Sequence, residues 1–193
     1  MVYLSAGALT VRYSKLGDRL SHTIGIQDGD SYLPLLESIE GSPEEPWPAS
    51  PPMQQMVAES FTPGASPVLL GVGLSGNGHW STAIETQHSR LLKFDIACKN
   101  SKSSHSMGSE YRVLIPTESG PRPDSIVLLI EGIQRIEIGV TIGQLEFSES
   151  EHRLRVVPKS NPTSIQTHRW CYEIRLASRS TDGMLVYIGS MRR

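Results

Sequence analysis

Residues 69–85, "LLGVGLSGNGHWSTAIE", are the stretch that decides how this chain folds. Gly71, Gly73 and Gly76 match the pattern G-x-G-x-x-G, and an apolar run precedes them. An acidic residue, Asp95, follows at about the 20-residue distance where a dinucleotide-binding fold places its ribose ligand. Such a fold also needs a helix that begins at the third glycine. The stretch is therefore either a nucleotide cradle or the turn of a β-hairpin.

The residues after the third glycine favour the hairpin. Asn77 and Gly78 follow directly, and Asn-Gly is a strong hairpin signal because both residues tolerate positive φ. "HWSTAIE" then alternates between apolar and polar residues, whereas a helix would show an apolar stripe at i, i+3 and i+4. We therefore predict a strand over residues 79–85, in a three-stranded meander with "VLLGVGL" and "LLKFDIAC". The predicted core face of this meander carries Trp80, Ile84, Phe94, Ile96 and Cys98.

Three short segments of this region, "GHWS", "FDIAC" and "MGSEYR", resemble an uncharacterised bacterial β-rich family. Its members have a His-Trp-Ser strand, a Phe-Asp-x-Ala-Cys strand and a strand that starts with Gly-Ser-x-Tyr-Arg. The resemblance covers about residues 67–115. It implies no activity, but it implies that these segments belong to one structural unit of a bacterial protein.

Period-two alternation recurs along the rest of the chain. "ALTVRYSK" and "RLSHTIGI" predict a hairpin, "GQLEFSES" and "HRLRVVP" predict another, and "SIVLLIEG" is apolar on both faces, as a central covered strand would be. No convincing helix exceeds about ten residues. The predicted fold is therefore all-β, an antiparallel sandwich or open barrel of about ten strands.

Residues 40–52, "EGSPEEPWPASPP", contain five of the 13 prolines. We interpret them as an extended, semi-rigid connector inside a single domain that covers residues 1–193. Two β lobes on either side of the connector are the alternative, but residues 1–39 are too few for an independent core. Residues 53–60 fit a short helix or an edge strand equally well.

Composition excludes some classes of function. The chain has 193 residues and a net charge of -2, without the basic excess of a general nucleic-acid binder. No apolar run approaches the roughly 18 residues that span a membrane, and the N-terminus lacks the pattern of a signal peptide. Cys98 and Cys171 cannot form a disulfide framework. We expect a cytoplasmic protein with reduced thiols, no membrane association and no cofactor.

Catalytic candidates are few. A hydrolase-like site could assemble from distant strands near His79, Asp95 and Cys98, or as a set of Ser75 with His79 and Asp95. There is no G-x-S-x-G motif, and Cys98 fits a small buried hydrophobe better than a nucleophile. The six histidines show no metal-ligand spacing, so we predict no metal site; His22 fits a hydrogen-bonded core histidine.

The C-terminal part is locally basic and suggests a third hypothesis, weak binding of single-stranded nucleic acid. Trp170 and Tyr172 lie on the opposite strand face from the neighbouring arginines, which disfavours a stacking platform. Cys171 is expected to be partly exposed beside positive charge. The arginines that could share one sheet face are Arg153, Arg155, Arg169, Arg175, Arg192 and Arg193.

The leading hypothesis is a non-enzymatic β-rich binding or interaction module, because no catalytic constellation is visible. The ligand is a protein or a small molecule, and nucleic acid is disfavoured. Candidate binding residues are Trp47, which we expect to be exposed in the connector, with Asn77 and His79. Homo-oligomerisation through an edge strand is a further possibility.

Overall fold

The computed structural model describes residues 1–42, 44–100, 107–116, 124–130, 134–159 and 165–177, and these residues form fourteen strands and no helix. The strands are β1 (Val2–Ala6), β2 (Leu9–Leu16), β3 (Arg19–Asp28), β4 (Ser31–Ser38), β5 (Gln55–Glu59), β6 (Val68–Ser75), β7 (Gly78–Thr86), β8 (Leu91–Asn100), β9 (Ser109–Val113), β10 (Ser125–Ile130), β11 (Gln134–Ile142), β12 (Gln144–Ser148), β13 (Arg153–Val157) and β14 (Thr167–Ala177).

Two antiparallel sheets of seven strands pack face to face, which confirms the predicted β-sandwich. Sheet A has the order β1-β2-β3-β4-β9-β13-β12, and sheet B has the order β10-β11-β14-β8-β7-β6-β5. Alternate residues of most strands are buried between the sheets, as period-two patterning requires. The strand number exceeds the expected ten because short strands such as β1 and β5 carry too few residues to show a period.

The meander around the glycine motif is confirmed. β7 covers residues 79–85, so the helix that a nucleotide cradle requires is absent from this stretch. The predicted core face of the meander is buried. The two-residue loop is Gly76-Asn77 rather than Asn77-Gly78, and Gly76 has a φ of 55°, the positive value that this position of a type II′ hairpin needs.

Two further expectations are resolved by the sheet order. β10 was predicted to be a central strand, but it lies at one end of sheet B and, among the described strands, pairs only with β11. The side chains of Val127 and Leu129 on its outer face are half-buried. Residues 53–60 contain a strand, β5, at the other end of the same sheet. The stretch "GMLVYIGS", residues 183–190, also predicts a strand from its sequence, but it lies outside the described residues.

The proline-rich residues 40–52 have no regular secondary structure where they are described, and they pass between the two sheets. The buried prolines Pro48, Pro51 and Pro52 show that the second half of this segment lies inside the sandwich, whereas Glu44, Glu45 and Pro46 are exposed. Ser50 exchanges two hydrogen bonds with the Glu110 backbone of β9, at 2.9 and 3.0 Å. We call residues 40–54 the crossover, because they lead from β4 in sheet A to β5 in sheet B.

The end of the crossover is fixed by backbone bonds to both sheets. The Leu20 N–H of β3 donates to the Met53 carbonyl at 2.7 Å, and the Gln54 N–H donates to the Val72 carbonyl of β6 at 2.9 Å. These bonds pair backbone groups of the crossover with both sheets, so this part of the segment needs no secondary structure of its own.

Candidate functional site

After the buried Leu69, β6 carries its large side chains on the outer face, which is the wrong face for a sandwich strand. Leu70, Val72 and Leu74 point outward, and Val72 and Leu74 are 53% and 49% exposed. The inner face carries Gly71 and Gly73 instead. A strand with one solvated face normally has the reverse pattern, with its apolar side chains inward. The outer face of sheet B is therefore apolar at this end.

Close packing explains both inner glycines, and at Gly73 the crossover supplies it. A Cβ on Gly73 would lie 2.0 Å from the Pro52 carbonyl oxygen, and one on Gly71 would lie 2.7 Å from the Thr82 side chain. Neither distance is compatible with a side chain. Of the three glycines of the motif, Gly76 serves the turn, Gly73 makes room for the crossover backbone, and Gly71 makes room for the side chains of Thr82 and Met56.

Small residues lie beside the large ones on the outer face. Leu70 pairs with Ala83, and Val72 pairs with Ser81, which in turn pairs with Ala97 of β8. We call Leu70, Val72 and Leu74 the ridge. We call the neighbouring row of short side chains the trough, and it consists of Ser81, Ala83 and Ala97. Val57 of β5, 50% exposed, extends the apolar surface on the other side of the ridge.

Beyond the trough, on β8, β14 and β11, the outer face is charged. Asp95 accepts two hydrogen bonds from Arg169, one of them from Nε at 2.8 Å. Further along, a shallow cleft of about 90 Å³ opens above Gly139, between Glu173 and Arg175. The apolar ridge and trough are thus bordered by ion-paired side chains, as the centre of a docking surface is bordered by its polar rim.

The proposed catalytic residues do not converge. His79 and Asp95 share the outer face of sheet B, but His79 lies opposite Lys99, four residues from Asp95 along β8, or roughly 13 Å. Cys98 is on the inner face, fully buried. Ser75 is also buried and donates to the Glu45 carbonyl at 3.1 Å. The hydrolase-like site that these residues suggested is therefore not formed.

The two cysteines are not poised as nucleophiles. Burial raises the pKa of the Cys98 thiol to about 12 and also raises the pKa of Cys171. Cys171 was expected to be partly exposed, but it is buried between neighbouring strands although it lies on the outer face of β14. Both thiols are consequently protonated at neutral pH, and a thiol is far less reactive than a thiolate.

Of the predicted binding residues, Asn77 and His79 are exposed, at the β6–β7 loop and beside the ridge. Trp47 was expected to be exposed, but it is half-buried, because its ring packs 6.5 Å from that of Trp80. Trp80 in turn lies 6.0 Å from Trp170, edge to face. Trp47 is thus the outer member of a contact series that reaches the core.

The predicted basic face is divided between the two sheets. Arg153 projects from the outer face of sheet A and pairs with Glu110, at 3.0 Å. Arg169 projects from the outer face of sheet B, on the opposite side of the sandwich. Arg155 lies with the first and Arg175 with the second, both near glutamates. Arg192 and Arg193 lie outside the described residues.

A buried polar network joins the two sheets. Nε2 of His22 in β3 is hydrogen-bonded to the Tyr111 hydroxyl at 2.9 Å. The Tyr111 hydroxyl is also hydrogen-bonded to the Tyr172 hydroxyl. Trp170 Nε1 donates to the Ser109 hydroxyl at 2.9 Å. His22 is thus the hydrogen-bonded core histidine that the sequence predicted, although its partners could not be named from the sequence.

This network leaves no space for a substrate. The cavity beside Tyr13, His22 and Tyr172 has a volume of about 10 Å³, which accommodates about one water molecule. Burial lowers the pKa of His22 to about 3, so the ring is neutral across the physiological range. The network therefore holds the sheets in register, since every buried polar group in it needs its partner.

Glu40 is the acidic member of this region and begins the crossover. Its Oε1 accepts a hydrogen bond from the Ser38 hydroxyl, while its Oε2 is buried without a partner. Burial raises the pKa of Glu40 to about 7, against the smaller opposing effects of Ser38 and Arg19. Its Oε1 lies 4.0 Å from Nδ1 of His22, but the pKa shifts make both groups neutral between about pH 3 and 7, so this contact is no ion pair there.

The described residues contain neither a cluster of metal ligands nor a membrane-spanning helix. Within those ranges no group of three or more His, Cys, Asp or Glu side chains is arranged to hold a metal ion. No helix in the described part of the chain is long and apolar enough to cross a membrane.

No protein-family model and no curated protein matches this chain. Two solved structures of a heparinase III, the BT4657 gene product, one of them with methylated lysines, align with 94% of it. The TM-score is 0.49 in both cases, with 10% and 11% sequence identity. The chain spans 36% of the length of those proteins. At this level of similarity the alignment does not bear on function.

Proposed function

We propose that this protein is a non-enzymatic binding module that docks a protein partner on the ridge and trough of sheet B. The observation that carries the proposal is the pattern of residues 70–74 of β6, which places three large apolar side chains on the outer face, with Val72 and Leu74 about half exposed. Exposed apolar patches with a polar border are typical of interaction sites. A rigid sheet also presents such a surface at low entropic cost on binding.

The ridge was not among the residues singled out from the sequence. The available signal was the alternation of glycine with large apolar residues in "LLGVGLSG". Such a strand has almost no side-chain volume on one face, so either the strand is poorly packed or another segment fills the space. If another segment fills the space, the large apolar residues must point outward. The crossover is that segment.

The proposal includes a cytoplasmic location. Its support is that Cys98 and Cys171 are both free, one on each face of sheet B, and unpaired thiols are characteristic of reducing compartments.

Site-specific photocrosslinking in living cells tests the docking function. A photoreactive phenylalanine analogue at Leu74 should give a covalent adduct larger than the 21.2 kDa chain. The matched control is Leu33, the same residue type with 48% exposure but in β4 of sheet A, which should give none. Equal labelling at both positions, or no adduct at Leu74, would contradict the proposal.

A further inference from the structure

We infer that the partner docked on sheet B is a second copy of this chain, packed face to face about a two-fold axis. This inference rests on the proposed binding function and names its partner. Two residues of the ridge, Leu70 and Val72, lie directly beside short side chains of the trough, Ala83 and Ser81, one strand away. A surface with a projection next to a matching depression is complementary to itself, as the isologous interface of a two-fold dimer must be.

The geometry follows from the strand register. An axis that runs parallel to the strands, in the interface between β6 and β7, places β6 of one copy over β7 of the other. Leu70 then lies over Ala83 of the second copy, and Val72 lies over Ser81, because these residues are already paired across the two strands. Facing sheets pack about 10 Å apart, a distance that a large side chain opposite a small one fills.

One charged pair at the border agrees with this arrangement, although the same register places Val57 over Asp95. Glu59, exposed at the end of β5, lies on one side of the ridge, and Lys93 of β8 lies beyond the trough in the row of Glu85. The same axis brings β5 over β8 of the second copy, so that Glu59 approaches Lys93. Opposite charges in this position favour encounter in the correct register.

Face-to-face packing is favoured over the edge-strand pairing that the sequence suggested. β5, the terminal strand beside the ridge, has only five residues. Pro51 and Pro52 precede it closely, and Pro63 follows it. Short strands flanked by prolines are a means by which proteins discourage pairing at a sheet edge. The exposed face is thus a better docking surface than the edge.

Sedimentation equilibrium of the purified chain tests the inference. We expect a concentration-dependent dimer that Leu74→Lys weakens at least about tenfold, because the lysine would be inserted next to His79 and Lys99. The control Leu33→Lys changes a leucine of equal exposure in sheet A and should leave dimerisation unchanged. A chain that stays monomeric at all concentrations, or a dimer that survives Leu74→Lys, would overturn the inference.

A mixing experiment tests the register without disturbing the fold. Protein with Glu59→Lys and protein with Lys93→Glu should each dimerise weakly alone, because like charges then face each other, whereas a mixture of the two should form a mixed dimer in which both pairs are opposite charges. Absence of the mixed dimer would overturn the two-fold arrangement. If the chain is monomeric but the photoreactive group at Leu74 captures a different protein, the binding function stands and the self-association fails.

Discussion

The two ends of the inner face of sheet B are filled by opposite means. Around β8 and β14, large rings occupy the core, and Phe94 stacks on Tyr172 at 4.8 Å. Around β6, glycines face inward, and the crossover backbone occupies the space that side chains would fill. One sheet therefore contains a region that tolerates no loss of volume and a region that tolerates no gain.

The largest effect is expected on the aromatic side. Phe94→Ala removes a ring that is 1% exposed and should lower the free energy of unfolding by about 3–5 kcal/mol, because the lost burial and the cavity add. Chemical denaturation followed by circular dichroism measures this. A decrease in the free energy of unfolding below about 1 kcal/mol would show that neighbouring side chains can fill the cavity. The aromatic region would then not be intolerant of lost volume.

On the glycine side the opposite change should destabilise. Gly73→Ala places a methyl group 2.0 Å from the Pro52 carbonyl oxygen, where backbone must move, at a cost of about 2–3 kcal/mol. The adjacent Val72→Ala, which removes volume from the exposed face of the same strand, should change stability by no more than about 0.5 kcal/mol. If both variants unfold at the same denaturant concentration, the crossover does not constrain β6.

The start of the crossover allows a smaller, pH-dependent test. Glu40 has a raised folded-state pKa of about 7 against an ordinary value of 4.5, so its contribution is present below about pH 4.5 and is lost as the pH rises through 7. Glu40→Gln, which mimics the neutral acid, should therefore stabilise the protein at pH 8 by roughly 1–3 kcal/mol. At pH 4.5 the two proteins should be equally stable.

The charged and titratable groups that surround Glu40 are the same in both proteins. Arg19 donates to the Glu40 carbonyl at 3.1 Å and favours the carboxylate, whereas His22, Tyr13 and Tyr111 face it from other strands as neutral groups. His22 contributes its own loss of stability below about pH 6.5, because its folded-state pKa is depressed, but this cancels between the two variants. A stability difference that does not change between pH 4.5 and 8 would rule out titration of Glu40.

Much of the fold was predictable because alternation reports directly on strands. β7, β8 and β14 each carry four or more residues per face, so the period and the inner face were both evident, down to Trp80 and Phe94. The pairing order was not, since alternation says nothing about which strand lies next to which. β10 illustrates this: it has apolar residues on both faces, yet it lies at the end of sheet B.

The candidate site was harder to predict for a physical reason. Sequence patterning assigns apolar residues to the interior, and this assumption fails where a second backbone replaces side chains as the filler. Gly73 has no side chain to mark its face as buried, so the outward direction of Val72 depends on a contact with residues about 20 positions earlier. Similarly, the burial of Trp47 depends on a partner in another strand.

The crossover has one further consequence, for spectroscopy. The three tryptophans of the chain, Trp47, Trp80 and Trp170, form a single series of ring contacts that begins on the crossover and ends inside the sandwich. Indole emission is sensitive to the polarity around the ring. Fluorescence of this protein is therefore a local reporter: it registers whether the crossover is seated between the sheets, whereas the far-ultraviolet signal registers the strands themselves.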